Sequence, residues 1–179
     1  EVRVPVSDRV GEEGKGWTYG KYLLEFERGG GIASPRLRQA LNTVRLLAES
    51  DASGRAIDDP DLALRLSEVE IDIDTLEMTE LRVLSALQTG QNPGAVSSIL
   101  KLRVSEIHQA VTRLGFEVVG NDGLAVEPGR PLYAQNQTRD LPDAARTAVP
   151  RHLNGRAYTI FGGTSEVQRD IIAKLMLGL

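Results

Sequence analysis

Apolar residues recur at helical spacing through most of this chain, and turn residues mark where each run stops. Tyr22, Leu23 and Phe26 begin a stripe that resumes as Leu37, Ala40, Leu41, Val44 and Leu47, with Gly29, Gly30 and Gly31 between the two parts. Each glycine in a helix interior costs about 1 kcal/mol against alanine, so three together predict a break or the close approach of another group. Ser34-Pro35 reads as the cap and first-turn proline of a restarted helix. The first long helical region therefore runs from Trp17 to about Glu49, kinked or split near the glycines. Asp51 to Asp59 reads as a polar loop. A second helix, Pro60 to about Thr89, turns Leu62, Leu66, Val69, Ile73, Leu76 and Val83 inward. Its acids Glu68, Glu70, Asp72 and Asp74 read as a solvated face. After the turn Gly90-Gln91-Asn92-Pro93-Gly94, a third helix from about Ala95 to Val119 offers Ile99, Leu102, Ile107, Val111 and Leu114 to the core. Gly120 to Leu141 has no period and reads as a long loop. A fourth helix, Pro142 to about Asn154, is interrupted or shifted at Pro150. Glu1 to Val6, ahead of all this, alternates like a strand and enters a glycine-rich turn, Arg9 to Trp17. The sum is an all-α, up-and-down helical bundle with a short N-terminal extended segment.

Composition supports one helical domain. Hydrophobic residues are 41% and charged residues 26%, enough for a core, and aromatics are only 4%. The net charge is −4 with no basic tract, which argues against nucleic acid as a partner. The absence of cysteine excludes disulfides and thiol chemistry, and two histidines are too few for a His-based metal site. No apolar run is long enough to span a bilayer and no secretory signal is present, so no membrane role and a cytoplasmic location are expected. The chain begins at Glu1 without Met, inside the apparent strand, which reads as a piece of a larger protein.

The most informative stretch is Tyr158 to Lys174. It reads as an extended segment, a glycine turn at Gly162-Gly163, and a fifth helix from Thr164 to about Leu177. Thr164 can cap the first turn, with Ser165, Glu166 and Asp170 placing polar and acidic groups near its positive end. Val167, Ile171, Ile172 and Leu175 form its apolar stripe. Two glycines opening a helix can bring backbone N–H groups to an anion. The same residues equally suit a turn followed by a packing helix. Glu25-Phe26-Glu27-Arg28 is a second candidate. Residues on a helix are ~100° apart, so Glu25 and Glu27 point to different faces. They read as surface charge, except that Glu27 and Arg28 stand just before glycines where bulk has been removed.

The late run, Phe161-Gly162-Gly163-Thr164-Ser165-Glu166-Val167-Gln168-Arg169 and its isoleucine-rich helix, closely resembles the signature near the end of acyl-CoA dehydrogenases. The turn Val10-Gly11-Glu12 to Gly16-Trp17 similarly resembles that family's passage from its middle β domain into its C-terminal helical domain. The resemblance divides the chain into residues 1–16, the end of the β domain and linker, and 17–179, the helical bundle. It implies FAD as cofactor, an acyl-CoA thioester as substrate, a 2-enoyl-CoA as product and an electron-transfer flavoprotein as acceptor. In most members a glutamate just before the Gly-Thr of the late signature takes the α proton. Here that position is Gly162, which has no side chain but can still offer its N–H to the substrate oxygen. A minority carry the base on the first helix before an arginine, and here that pair is Glu27-Arg28. The resemblance therefore implies Glu27 as base, Gly162 at the reacting centre, Arg28 and Phe161 at the substrate, and Gly163, Thr164 and Glu166 at FAD. A buried base with a raised pKa would follow.

The likeness is nearest to the large subunit of bacterial pimeloyl-CoA-type dehydrogenases, through Gly16-Trp17, Lys21-Tyr22-Leu23-Leu24, Lys101 to Glu106 and Ile160 to Gly163. It is weakest from Gly120 to Leu141. Two family features that reach a neighbouring subunit's flavin, Arg-x-x-Phe-Gly and Gln-x-x-Gly-Gly, are missing from Asp51 to Arg55 and from Leu114 to Gly123. This leaves open a homo-oligomer with altered contacts or a hetero-oligomer, dimer or tetramer. An acyl-CoA oxidase and a non-catalytic helical subunit remain as alternatives.

Overall fold

In the computed structural model, residues 2–29, 31–50, 58–124 and 143–179 are described, excepting the side chains of residues 25, 26, 28 and 143. Six α-helices account for most of them: α1 (Gly16–Gly29), α2 (Ser34–Glu49), α3 (Pro60–Gln88), α4 (Val96–Val119), α5 (Asp143–Gly155) and α6 (Ser165–Ile172). Short 3₁₀ turns lie at Val6–Asp8, Gly120–Leu124 and Arg156–Thr159, and α6 passes into a π-helical turn, Ala173–Leu177.

The long first region is split as the glycines predict, between α1 and α2. Ser34 is not the cap, however. It lies inside the first turn, and the N-cap position falls to Ala33, which has no side-chain oxygen to offer. Glu80 of α3 takes over that task. Its carboxylate accepts from Ala33 N–H at 2.8 Å, Ser34 N–H at 3.3 Å and the Ser34 hydroxyl at 2.6 Å. A carboxylate at a helix N-terminus is favoured by both the unpaired N–H groups and the helix dipole, which explains how an acid only 3% exposed is held in the core.

The core is the expected one with small shifts. Leu37, Leu41 and Val44 of α2, Leu62, Val69, Ile73, Leu76 and Val83 of α3, and Ile107, Val111 and Leu114 of α4 pack together. On α4 Leu100 is buried as well, while Ile99 and Leu102 are half-buried. The small residues Ser97, Ser98 and Ser105 are buried on this helix too, because it is the central element and touches α1, α2, α3, α5 and α6. The acidic face of α3 is less solvated than expected. Glu70 pairs with Arg45 at 2.6 Å, Asp72 with Arg103 at 2.5 Å and Asp74 with Arg38 at 2.9 Å, tying α3 to its neighbours.

Three other expectations are corrected. The apparent N-terminal strand is not formed among the described residues, and Val2 and Val4 are exposed. An alternating pattern makes a strand only where a partner strand completes its ladder. Pro150 does not interrupt α5, which runs through it. The proline is exposed, so the ladder bond it withholds faces solvent. The segment before Gly162 is a 3₁₀ turn rather than extended chain. The loop expected from Gly120 begins as the 3₁₀ turn to Leu124, and 125–142, like 51–57, lies outside the described residues.

Candidate functional site

The late turn is held in place by one face of α4. Lys101, Ser105 and Gln109 are spaced one helical turn apart and so share a face. Lys101 Nζ donates to the Tyr158 carbonyl at 2.9 Å, and Ser105 Oγ lies 3.0 Å from the same oxygen. Gln109 Nε2 donates to the Gly155 carbonyl at 3.1 Å. The Tyr158 ring stacks on His108 at 4.0 Å, and Phe161 tilts against Tyr158 at 5.2 Å. Arg169 reaches back from α6 to Glu106 at 3.1 Å, and Glu106 also holds Arg103.

This anchoring carries the chain to Gly162 and Gly163, whose φ values of 70° and 94° lie where side-chain-bearing residues are strained. A Cβ at Gly162 would lie 3.8 Å from Lys101 Cε, so no described residue crowds that position. The Gly162 N–H makes no hydrogen bond to a described residue. Its carbonyl receives Gln168 Nε2 at 3.5 Å, and Gln168 is fully buried with its Oε1 unsatisfied among the described residues.

Glu27 and Gly162, far apart in sequence, line one cavity of about 460 Å³ together with Leu24, Arg36, Lys101 and Phe161. Glu27 is the one carboxylate among the described residues that line it. The break between α1 and α2 forms one side, through Gly31, Ile32 and Ala33, and the Glu80 cap fixes Ala33 there. Glu27 is exposed, not buried as expected. The expected base also has α1 as its support, and α1 turns Trp17, Tyr22 and Leu23 to solvent. Arg28 stands on α1 next to Glu27, and its side chain lies outside the described residues.

Thr164 caps α6 as its sequence predicts, accepting from Val167 N–H at 3.3 Å. The Glu166 carboxyl lies beside this helix start. Its own backbone N–H, then the Thr164 hydroxyl, hold the Glu166 carboxyl below the ordinary carboxylate range. Gly163, Thr164 and Glu166 thus offer a backbone N–H and a carboxylate acceptor to a ligand, a set suited to hydroxyl groups rather than to a second anion. The stripe predicted on α6 is only partly inward, with Ile171 and Ile172 half-buried. Ser165 and Gln168 are the buried positions, while Val167 and Leu175 are exposed.

Sequence reasoning missed Glu80 and Lys101 as supports of the site. Glu80 lies on the same helix six residues beyond Asp74, the last of the acids read as solvated, and no local pattern marks a carboxylate that caps another helix. Lys101, Ser105 and Gln109 do form a polar i, i+4, i+8 row, but α4 carries other polar residues, among them Arg103, Glu106 and Thr112, so the row does not stand out. Among the described residues no cluster could hold a metal ion, and no helix is long and apolar enough to cross a membrane.

Split first helix, α4 clamp and glycine turn together define a helical domain built around a shared cavity, and the comparisons identify its class. The family described as acyl-CoA dehydrogenase, C-terminal domain, matches residues 14–177, and the chain belongs to that family. It is 33% identical over 187 residues to acyl-CoA dehydrogenase FadE26 of Mycobacterium tuberculosis, a match covering 100% of this chain and 44% of that protein. It is 29% identical over 170 residues to acyl-CoA dehydrogenase IpdE1 of Mycolicibacterium smegmatis, covering 95% of this chain and 38% of the other. Among solved structures, the ChsE4-ChsE5 complex from Mycobacterium tuberculosis matches with 31% identity and a TM-score of 0.74, over 98% of this chain and 44% of that one. The chain therefore spans less than half the length of these relatives.

Proposed function

We propose that this chain is the C-terminal helical domain of an FAD-dependent acyl-CoA dehydrogenase, with residues 1–16 leading in from a preceding domain, and that Glu27 is its base. The single observation that carries the reading is Glu27 and Gly162 on the wall of one cavity. The α C–H beside a thioester is a weak acid, so its removal needs a base and a donor for the oxygen acting together. The Glu27 carboxylate takes the α proton. The Gly162 N–H donates to the thioester oxygen as charge develops on it. Phe161, half-exposed beside Gly162, lines the acyl group, and Arg28 follows the base on α1. Gly163, Thr164 and Glu166 hold the dinucleotide portion of FAD through the N–H and carboxylate described above. When bound, FAD supplies the acceptor for the hydride leaving the β carbon. The product is the 2-enoyl-CoA, and an electron-transfer flavoprotein is the proposed electron acceptor.

Glu27→Gln in the full-length protein tests this. Dehydrogenation should collapse while the flavin absorption spectrum persists, and near-normal turnover would remove Glu27 from the role. Oxygen consumption separates the dehydrogenase from an oxidase.

A second reading is a non-catalytic helical subunit of a hetero-oligomer. Its support is the likeness to one chain of the ChsE4-ChsE5 complex, together with the exposed apolar side chains of α1 and the C-terminal turn, Trp17 at 76% and Leu175 at 72%. Native mass spectrometry decides between one subunit type and two.

A further inference from the structure

Among the described residues, little holds the two glycines of the late turn. Gly162 and Gly163 both take positive φ values, and glycine populates that region and its mirror image about equally. One hydrogen bond between described residues reaches either of them, from Gln168 Nε2 to the Gly162 carbonyl at 3.5 Å. Gln168 is well placed for it. Its backbone N–H closes the first turn of α6 on the Thr164 carbonyl at 2.9 Å, and the Thr164 side chain caps that helix. The glutamine side chain therefore starts from a fixed backbone and reaches back toward the N-terminus, the direction in which helical side chains lean.

Packing alone does not explain an amide at this position. Gln168 is 0% exposed, and its Oε1 has no partner among the described residues. A buried acceptor left unpaired costs stability, and a methionine would fill a similar volume without that cost. Breaches of this kind gather where a structure gives up stability for function. What the amide supplies, and an apolar side chain cannot, is the Nε2 donor.

The effect passes through one peptide plane. No described peptide bond is cis, so the Gly162 carbonyl and the Gly163 N–H point in opposite directions. Holding the carbonyl toward buried Gln168 turns the Gly163 N–H away from it. That N–H makes no hydrogen bond to a described residue. We propose that Gln168 is a positioning residue for the cofactor: its buried amide fixes the Gly162–Gly163 peptide so that the Gly163 N–H is presented to the dinucleotide portion of FAD. The inference rests on the reading above for the identity of that ligand. A turn already held in one orientation loses less freedom when a ligand binds, and this is the gain. The 3.5 Å contact should shorten in the loaded protein, as long contacts in empty sites do.

The test uses the full-length protein, its Gln168→Met variant, and Ser165→Ala as control. Ser165 is buried one helical turn from Gln168 on the same face, and its Oγ also has no described partner. FAD affinity is read from flavin fluorescence on titration into flavin-free protein, stability from thermal unfolding, and peptide orientation from crystal structures of the flavin-free forms. Gln168→Met should weaken FAD about tenfold, the worth of one well-aimed hydrogen bond. It should melt no lower than the parent and leave the Gly162–Gly163 peptide rotated or in two orientations. Ser165→Ala should bind FAD as the parent does. Unchanged affinity in Gln168→Met, an equal loss in Ser165→Ala, or a melting point lowered in step with affinity overturns the assignment. A parent protein that binds no FAD, with peptide orientation still dependent on Gln168, defeats the flavin reading and leaves the tether standing. A peptide orientation unchanged in Gln168→Met sinks the tether itself.

Discussion

Lys101 Nζ donates to the Tyr158 carbonyl at 2.9 Å, fixing the central helix to the turn that leads into Gly162. Ser105 Oγ lies 3.0 Å from the same oxygen and 2.8 Å from the Lys101 carbonyl, so its one proton can turn to the Tyr158 carbonyl when Lys101 is lost. The loss of one is therefore cushioned. Lys101→Met should cost about 1 kcal/mol, and Lys101→Met with Ser105→Ala about 1–3 kcal/mol more as the carbonyl loses both donors. Denaturant titration measures this. Similar losses for the single and double variants would show that the two donors do not back each other up.

Glu80 is the buried acid that caps α2 in place of Ala33. Glu80→Leu leaves the Ala33 and Ser34 donors without their partner and should destabilise the fold by about 3 kcal/mol. Glu80→Gln keeps an acceptor and should cost less. The comparison of midpoints at constant denaturant slope separates the lost cap from a changed denatured state.

His108 and His152 both titrate below the ordinary histidine value, chiefly because burial disfavours the charged form. The unfolded chain then binds protons that the folded one does not, so stability falls as pH drops below about 6.5. His108→Phe keeps the stack on Tyr158 and should flatten part of that slope. Thermal unfolding between neutral and mildly acid pH reads it, and an unchanged slope in the double His108→Phe, His152→Phe protein would sink the assignment.

Thr164 caps α6 through its side chain, so Thr164→Ala should cost about 1 kcal/mol. Thr164→Ser should restore most of it. Circular dichroism melts measure both, and a serine variant as weak as the alanine one would point to the methyl group instead.

Gly123 has little room. A Cβ there would lie 2.8 Å from Val119 Cγ1 and 3.0 Å from Val149 Cγ2, both stiff β-branched side chains. Gly123→Ala should destabilise by about 1–3 kcal/mol, the usual cost of overpacking. Gly14→Ala has no such neighbour, only a φ of 78°, and separates steric from conformational cost in the same unfolding assay.

Much of this architecture was written along the chain. Apolar spacing in helices α2, α3 and α4 places most of the core, because a helix turns at a fixed angle per residue and its buried face must repeat with it. The glycine run marks the split between α1 and α2, and Thr164 marks the start of α6, since both act through backbone geometry within a few residues. The stripes of α1 and α6 misled, because a periodic apolar face says that a helix has something to cover it, not that the covering lies in the same chain. The N-terminal alternation misled for the same reason, a strand being defined by its neighbour.

Tertiary structure alone decided the rest. Nothing local tells that Glu80 leaves the acidic face of α3 to cap another helix, or that Lys101 and Ser105 converge on Tyr158. The meeting of Glu27 with Gly162 depends on how the helices pack. Local rules fix the direction each backbone takes. Which side chains then share a space is set by contacts between residues remote in sequence, and those contacts exist only once the bundle has closed.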